Sequence, residues 1–225
     1  MATATTNGTD VPTSTVPSTT VVSSKTRERP DFKDTWGVFV PVNTLDFWTL
    51  VHRVVIEEIS PKDLIRDPVI KPGSERYDVD GWNWRDSWEL DPHIILHTGL
   101  GPLTDKLECS LKSVGKFTVH IEGLHRFTNP PKMIEGKERS WDVLMCNLPP
   151  KKNKVLFDLH KQACVISGKD WHFAEYVPHV TLAYTKFGAA YKYTGIEFGP
   201  IEIEVDHLMY QKYRDNTKPV RIDLQ

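Results

Sequence analysis

A Pro-His pair occurs twice in this chain, each time at the head of an apolar run, and the two copies lie 86 residues apart. Residues 92–100 read Pro-His-Ile-Ile-Leu-His-Thr-Gly-Leu, and residues 177–184 read Val-Pro-His-Val-Thr-Leu-Ala-Tyr. In the second copy His179, Thr181 and Ala183 alternate with Val180, Leu182 and Tyr184, the period of a strand. A strand sends successive side chains to opposite faces, so His179 and Thr181 share one. An imidazole able to move a proton then stands beside a hydroxyl able to donate to an oxyanion. The surroundings repeat as well: a glycine follows each run (Gly99, Gly188), and an alternating strand comes later in each. Those strands, with Phe117, Val119 and Ile121 and then Ile201, Ile203 and Val205, lie 84 residues apart. Two halves of related pattern, each with a histidine, argue for a pseudo-symmetric site between lobes. The competing reading is two unrelated buried strands, each with a histidine at its entrance.

The 225 residues carry a net charge of −2, so no basic field is present for a long duplex; a small nucleotide or short strand is the easier nucleic-acid partner. A hydrophobic content of 39% is enough for one domain with a sizeable core, or two small lobes sharing one. Cys109, Cys146 and Cys164 are odd in number and lack CxxC spacing, which suggests neither a zinc site nor a disulfide framework. A reducing compartment fits best, and the expected location is cytoplasmic. No apolar run approaches the roughly 18 residues of a membrane span.

Residues 1–30 are rich in Thr, Ser and Pro, with Asp10 the only charge before Lys25. Such a stretch buries too little apolar surface to offset its ordering entropy, and is expected to be a disordered tail ahead of a single domain over 31–225. It lacks the charged and apolar regions of a secretory signal, while its Ser/Thr bias leaves an organellar transit peptide as the alternative. Trp36–Pro41 is the first expected strand. Thr44 can cap a helix in which Leu45, Trp48, His52, Val55 and Ile59 form an apolar stripe, so His52 reads as structural. Residues 60–91 read as a long irregular loop whose Trp82, Trp84 and Trp88 either stack on a base or anchor the loop to the core. After the first histidine strand come a helix over 103–112, strands over 116–127 and Trp141–Leu148, and a helix from Lys154 to Val165. Leu156, Leu159, His160 and Ala163 line that last helix, making His160 structural too. The second histidine strand, a strand over 199–210 and a terminal strand from Val220 to Leu224 complete the chain. Strands and helices mix without strict βαβ alternation, which favours α+β with antiparallel sheets.

The two Pro-His motifs resemble those of the two-histidine (2H) phosphoesterase superfamily, which includes RNA 2′,3′-cyclic phosphodiesterases, so-called 2′-5′ RNA ligases and viral oligonucleotide phosphodiesterases. Gly99-Leu100, Trp141-Asp-Val-Leu, Glu175-Tyr-Val-Pro-His and Tyr191-Lys-Tyr give the likeness a flavour of the phage anti-CBASS phosphodiesterases. It extends over about residues 36–225. The resemblance implies a bilobal α+β fold, two antiparallel sheets around a central groove, and no metal or other cofactor. It implies a monomer acting on a small, cyclic or short oligonucleotide, with no membrane partner. Carried over residue by residue, His93 and His179 are the general acid and base and Thr181 holds a phosphoryl oxygen. Beside the resemblance, Trp84, Tyr176 and Tyr184 are expected to be substrate-binding positions, together with Ile95 and His97.

The first motif departs from the pattern at Ile95, where a Thr or Ser is expected. Losing one oxyanion donor costs about 2.7–4 kcal/mol, or two to three orders of magnitude in rate. By strict alternation His97 shares the face of His93 and Ile95, about 6.6 Å beyond Ile95, and could serve a shifted substrate. Thr98 then faces away, so a register that places His97-Thr98 at the motif fails. A metal shared by His93 and His97 fails as well, since i,i+4 in a strand separates the side chains by about 13 Å. The leading expectation is a metal-independent phosphodiesterase. The alternative is a nucleotide- or RNA-binding protein of the same fold that has lost most turnover, for which Ile95 is the sign.

Overall fold

The computed structural model describes residues 35–42, 44–51, 58–65, 92–134, 137–168, 175–212 and 218–225. The expected N-terminal tail, His52 and the tryptophans of the expected loop, Trp82, Trp84 and Trp88, lie outside the described residues. Among the described residues there are eight strands: β1 (Trp36–Pro41), β2 (His93–Leu100), β3 (Phe117–Ile134), β4 (Lys137–Asn147), β5 (His179–Lys186), β6 (Ile201–Val205), β7 (His207–Lys212) and β8 (Val220–Asp223). The same residues also form helices α1 (Leu45–Val51), α2 (Asp105–Lys112) and α3 (Lys154–Ser167) and two 3₁₀ turns. It is α+β, as the mixed pattern requires.

All eight strands join one curled antiparallel sheet in the order β6-β3-β4-β5-β2-β1-β7-β8. The two sheets expected from the sequence are its halves, β5-β4-β3-β6 and β2-β1-β7-β8, linked where Ile94 pairs with Val180. The histidine strands are therefore neighbours at the centre, and the sheet order is symmetric about the line between them. One equivalence needs correcting. The strand at 201–205 is not the counterpart of 117–121 in the other half: β6 pairs with β3 itself, Val119 opposite Ile203, at the sheet edge. The expected single strand over 199–210 breaks at Asp206 into β6 and β7, and β7 crosses to the other half to pair with β1. By position in the sheet, β7 is the counterpart of β3.

One face of the sheet is covered by α2 and α3. Ile94, Leu96, Leu144, Cys146, Val180 and Leu182 meet Leu107 and Leu111 from α2 and Leu156, Leu159 and Ala163 from α3 in a single core. Each fully buried leucine contributes about 1.5–3 kcal/mol. Thr104 caps α2, its hydroxyl accepting from the Leu107 amide at 3.3 Å. Asn153, buried at the start of α3, accepts from the His120 amide at 2.9 Å and donates to its carbonyl at 2.8 Å, which fixes the helix to β3. The other face is left for the groove.

Candidate active site

Two rows of side chains cross the uncovered face, because residues paired across strands share a face. Ile94 opposite Val180, carried one residue either way, sets His93 across from Thr181 and Ile95 across from His179. On the outer sides Asn147 pairs with His179, Met145 with Thr181, Pro41 with His93 and Phe39 with Ile95. One row thus runs Glu122, Asn147, His179, Ile95, Phe39, and the other His125, Met145, Thr181, His93, Pro41. At the centre, His93, Thr181, His179 and Ile95 form a square. Directly opposed side chains in such a square stand about 4.5–5.5 Å apart and diagonal ones about 7–8 Å, so the two imidazoles on its diagonal can reach a single phosphate.

Each histidine is held edge-on by a phenylalanine: Phe39 against His93 at 5.1 Å and Phe127 against His179 at 4.7 Å between ring centres. The Val177 carbonyl can only accept, so the 2.9 Å contact makes His179 Nδ1–H the donor and leaves Nε2 with its lone pair. Burial holds the His179 imidazole below its ordinary pKa; the bond to Val177 opposes this, and the His93 ring adds to it. A neutral imidazole with a fixed tautomer and an available Nε2 is suited to take a proton.

Strict alternation misplaces the next residues of both strands. Phe39 pairs with Ile95 and Val38 with His97, so Leu96 is an extra residue in β2; likewise Met145 pairs with Thr181 and Leu144 with Ala183, leaving Leu182 extra in β5. These two bulges are 86 residues apart, like the histidines. A bulge reverses the facing of the residues beyond it. His97 therefore turns to the helix side, 1% exposed, and stacks on His160 of α3 at 5.7 Å. It does not share the groove face with His93 and Ile95, which removes the rescue foreseen for it. Thr98 and Tyr184 come round to the groove face instead, both half-buried.

Tyr176, 9% exposed, is not a groove-lining residue in the way expected of it. Its ring stacks on His160 at 4.0 Å and its hydroxyl donates to the Ile95 carbonyl at 3.0 Å. His160 Nδ1–H donates to the Leu96 carbonyl at 2.7 Å, in keeping with the structural role read for it. Side chains from α3 and the β5 approach thus take two carbonyls of the bulge in β2. Burial depresses the His160 pKa, against the pull of its bond to Leu96. Of the residues expected to carry chemistry, the structure brings together His93, Ile95, His179 and Thr181, with Tyr184 beyond them on the same face. Trp84 lies outside the described residues. Asn147, Phe39 and Phe127 were missed by sequence reasoning, since only strand register reveals them as neighbours of the histidines.

No protein-family model matches the chain, and no curated protein does. Solved structures do. Kluyveromyces marxianus Usb1 superposes with a TM-score of 0.50 at 10% identity, covering 87% of this chain and 100% of that one. Escherichia coli LigT complexed with NADP+ gives 0.40 at 15% identity over 85% and 98%, and a structure described as a phosphoesterase gives 0.40 at 12% over 85% and 96%. The likeness to Usb1 is one of fold: this chain has the curled antiparallel sheet of that structure.

Proposed function

We propose that this protein is a phosphodiesterase that cleaves a phosphodiester of a small, cyclic or short oligonucleotide by acid–base catalysis between His93 and His179, without a metal. The observation that carries the reading is the square of His93, Thr181, His179 and Ile95 set by the Ile94–Val180 pair. In-line displacement at phosphorus has an attacking and a leaving oxygen on opposite sides, and two imidazoles on a diagonal meet that demand. His179 Nε2, neutral at pH 7, takes the proton from the attacking water or hydroxyl as its oxygen bonds to phosphorus. The bond from phosphorus to the leaving oxygen breaks, and His93 supplies the proton to that oxygen. Thr181, across from His93, donates to a non-bridging oxygen. The corresponding donor beside His179 is absent, because Ile95 puts a hydrocarbon there.

Ile95 also supports a second reading, a protein that binds nucleotides in this groove with little turnover. The two separate in one experiment. The protein is incubated in EDTA with 2′,3′-cyclic nucleotides, cyclic dinucleotides, 2′-5′ oligoadenylates and RNA ending in a 2′,3′-cyclic phosphate, and products are resolved by chromatography. The phosphodiesterase reading expects turnover of one class that His179→Ala removes. Turnover that appears only when a divalent ion is added back would overturn the metal-free mechanism. Binding without turnover would establish the second reading.

A further inference from the structure

Beside the square, on the β4 side, lies a cavity of about 400 Å³ lined by Glu122, Leu124, His125, Asn147, Ile196 and Phe198 among others. Such a volume is in the range of about 300–1,000 Å³ that holds a small organic ligand. It shares two residues with the row of His179: Asn147 is the cross-strand neighbour of His179, and Glu122 that of Asn147. Its far wall is the segment 195–200, held to β3 by the Leu124 amide on the Ile196 carbonyl at 2.9 Å and the Gly195 amide on the Leu124 carbonyl at 3.3 Å.

The polar groups say what the cavity accepts. Neither Lys nor Arg is among its lining residues, so it is not built for phosphate. The Asn147 side chain is exposed and makes no hydrogen bond to any described residue. Glu122 is engaged by Lys152 through one oxygen, Oε1, which also offsets its charge near an anionic substrate. An ionised carboxylate only accepts, and a carboxamide both donates and accepts. Leu124, Ile196 and Phe198 supply apolar walls. Adenine fits this set: a carboxamide pairs with its exocyclic N6–H and ring N7 together, and the second N6–H remains for a carboxylate. Uracil has no exocyclic amine to offer Glu122.

We infer that this cavity is a nucleobase subsite on the His179 side of the groove, selecting an amino-bearing base, adenine foremost, through Asn147 and Glu122. The inference rests on the phosphoesterase reading only in placing the phosphate at the two histidines. Adenosine 3′-monophosphate, uridine 3′-monophosphate and inorganic phosphate are titrated into the full-length protein by calorimetry, with wild type, Asn147→Ala and Asn147→Asp. Wild type is expected to bind the adenosine nucleotide about 5- to 150-fold more tightly than the uridine one, the range for one bidentate base contact. Both variants should lower that ratio at least fivefold, leaving only the preference that Glu122 supplies. Asn147→Asp keeps the size of the side chain, so a ratio collapsing in both variants reports the lost donor and not a lost fold. Equal affinity of wild type for the two nucleotides, an unchanged ratio in the variants, or no nucleotide binding at all would overturn the subsite. Base-selective binding without turnover of any substrate would leave the subsite standing and remove the catalytic reading, while turnover blind to the base would do the reverse.

Discussion

The two halves of the sheet share their order of strands and the place of their bulges, yet they line the groove differently. Around His179 the groove-facing neighbours are Thr181, Asn147 and, one strand further, Glu122, with a cavity behind them. Around His93 the places of Thr181 and Asn147 hold Ile95 and Pro41, and Phe39 stands beside Ile95 where Met145 stands beside Thr181. The Phe39 ring also lies back over Gly37, where an added Cβ would come within 2.5 Å of it. One half is therefore polar and open and the other apolar and filled. In the proposed mechanism, symmetry of backbone would supply a pair of imidazoles to opposite sides of a phosphorus atom, and asymmetry of side chains would decide which end of the substrate is recognised and how well the oxyanion is held.

The largest expected effect comes from the polar half. His179→Ala removes the proposed base and should lower kcat by about a hundred- to ten-thousand-fold at neutral pH, measured in steady state on the best substrate of the screen. A loss below tenfold would mean that the two halves do not share one reaction. The next test makes the apolar half resemble its partner. Ile95→Thr puts a hydroxyl across from His179 and should raise kcat by about ten- to a thousand-fold, and the gain should vanish in the double variant with His179→Ala. If Ile95→Thr leaves a fast enzyme unchanged, another group already supplies the donor.

Smaller effects belong to the supports of the apolar half. Tyr176→Phe leaves the Ile95 carbonyl without its donor in a buried place and should destabilise the fold by about 1–3 kcal/mol, read from denaturant midpoints. An unchanged midpoint would show that Tyr176 does not hold β2. The smallest effect is a pH dependence. The folded pKa of His160 is depressed below 6.5, so the unfolded chain binds the extra proton more readily. The stability this contributes is complete above pH 6.5 and is lost as the pH falls from there through the folded value. The melting temperature should decline from pH 7 to pH 5, and His160→Gln, which keeps a donor for the Leu96 carbonyl, should flatten that decline.

The sequence already showed much of this. Alternation at His179 and Thr181 was enough to put them on one face, and the 86-residue offset located the partner strand. Period-2 patterns failed where a bulge intervenes, because an extra residue is invisible to alternation: His97 was read into the groove and Thr98 out of it, and both are reversed. The equivalence of 117–121 with 201–205 failed for another reason. Two strands with the same apolar pattern can be symmetry mates or can pair with each other, and hydrophobicity alone does not distinguish these. Asn147 carried no local signal, since an Asn at a strand end is commonplace until register sets it beside a histidine.

The central claim is that His93 and His179 act on one phosphate. Nuclear magnetic resonance of the imidazole Cε1–H groups, assigned through His93→Gln and His179→Gln, tests it in the protein as it stands. As inorganic phosphate or adenosine 3′-monophosphate is added, the signals of His93 and His179 should move together along one saturation curve, and His179 should titrate at higher pH in the complex than in the free protein. In His93→Gln the pKa of His179 should rise, since the His93 ring is one of the influences that depress it. Response of one histidine alone, or two curves with unrelated affinities, would contradict the shared site.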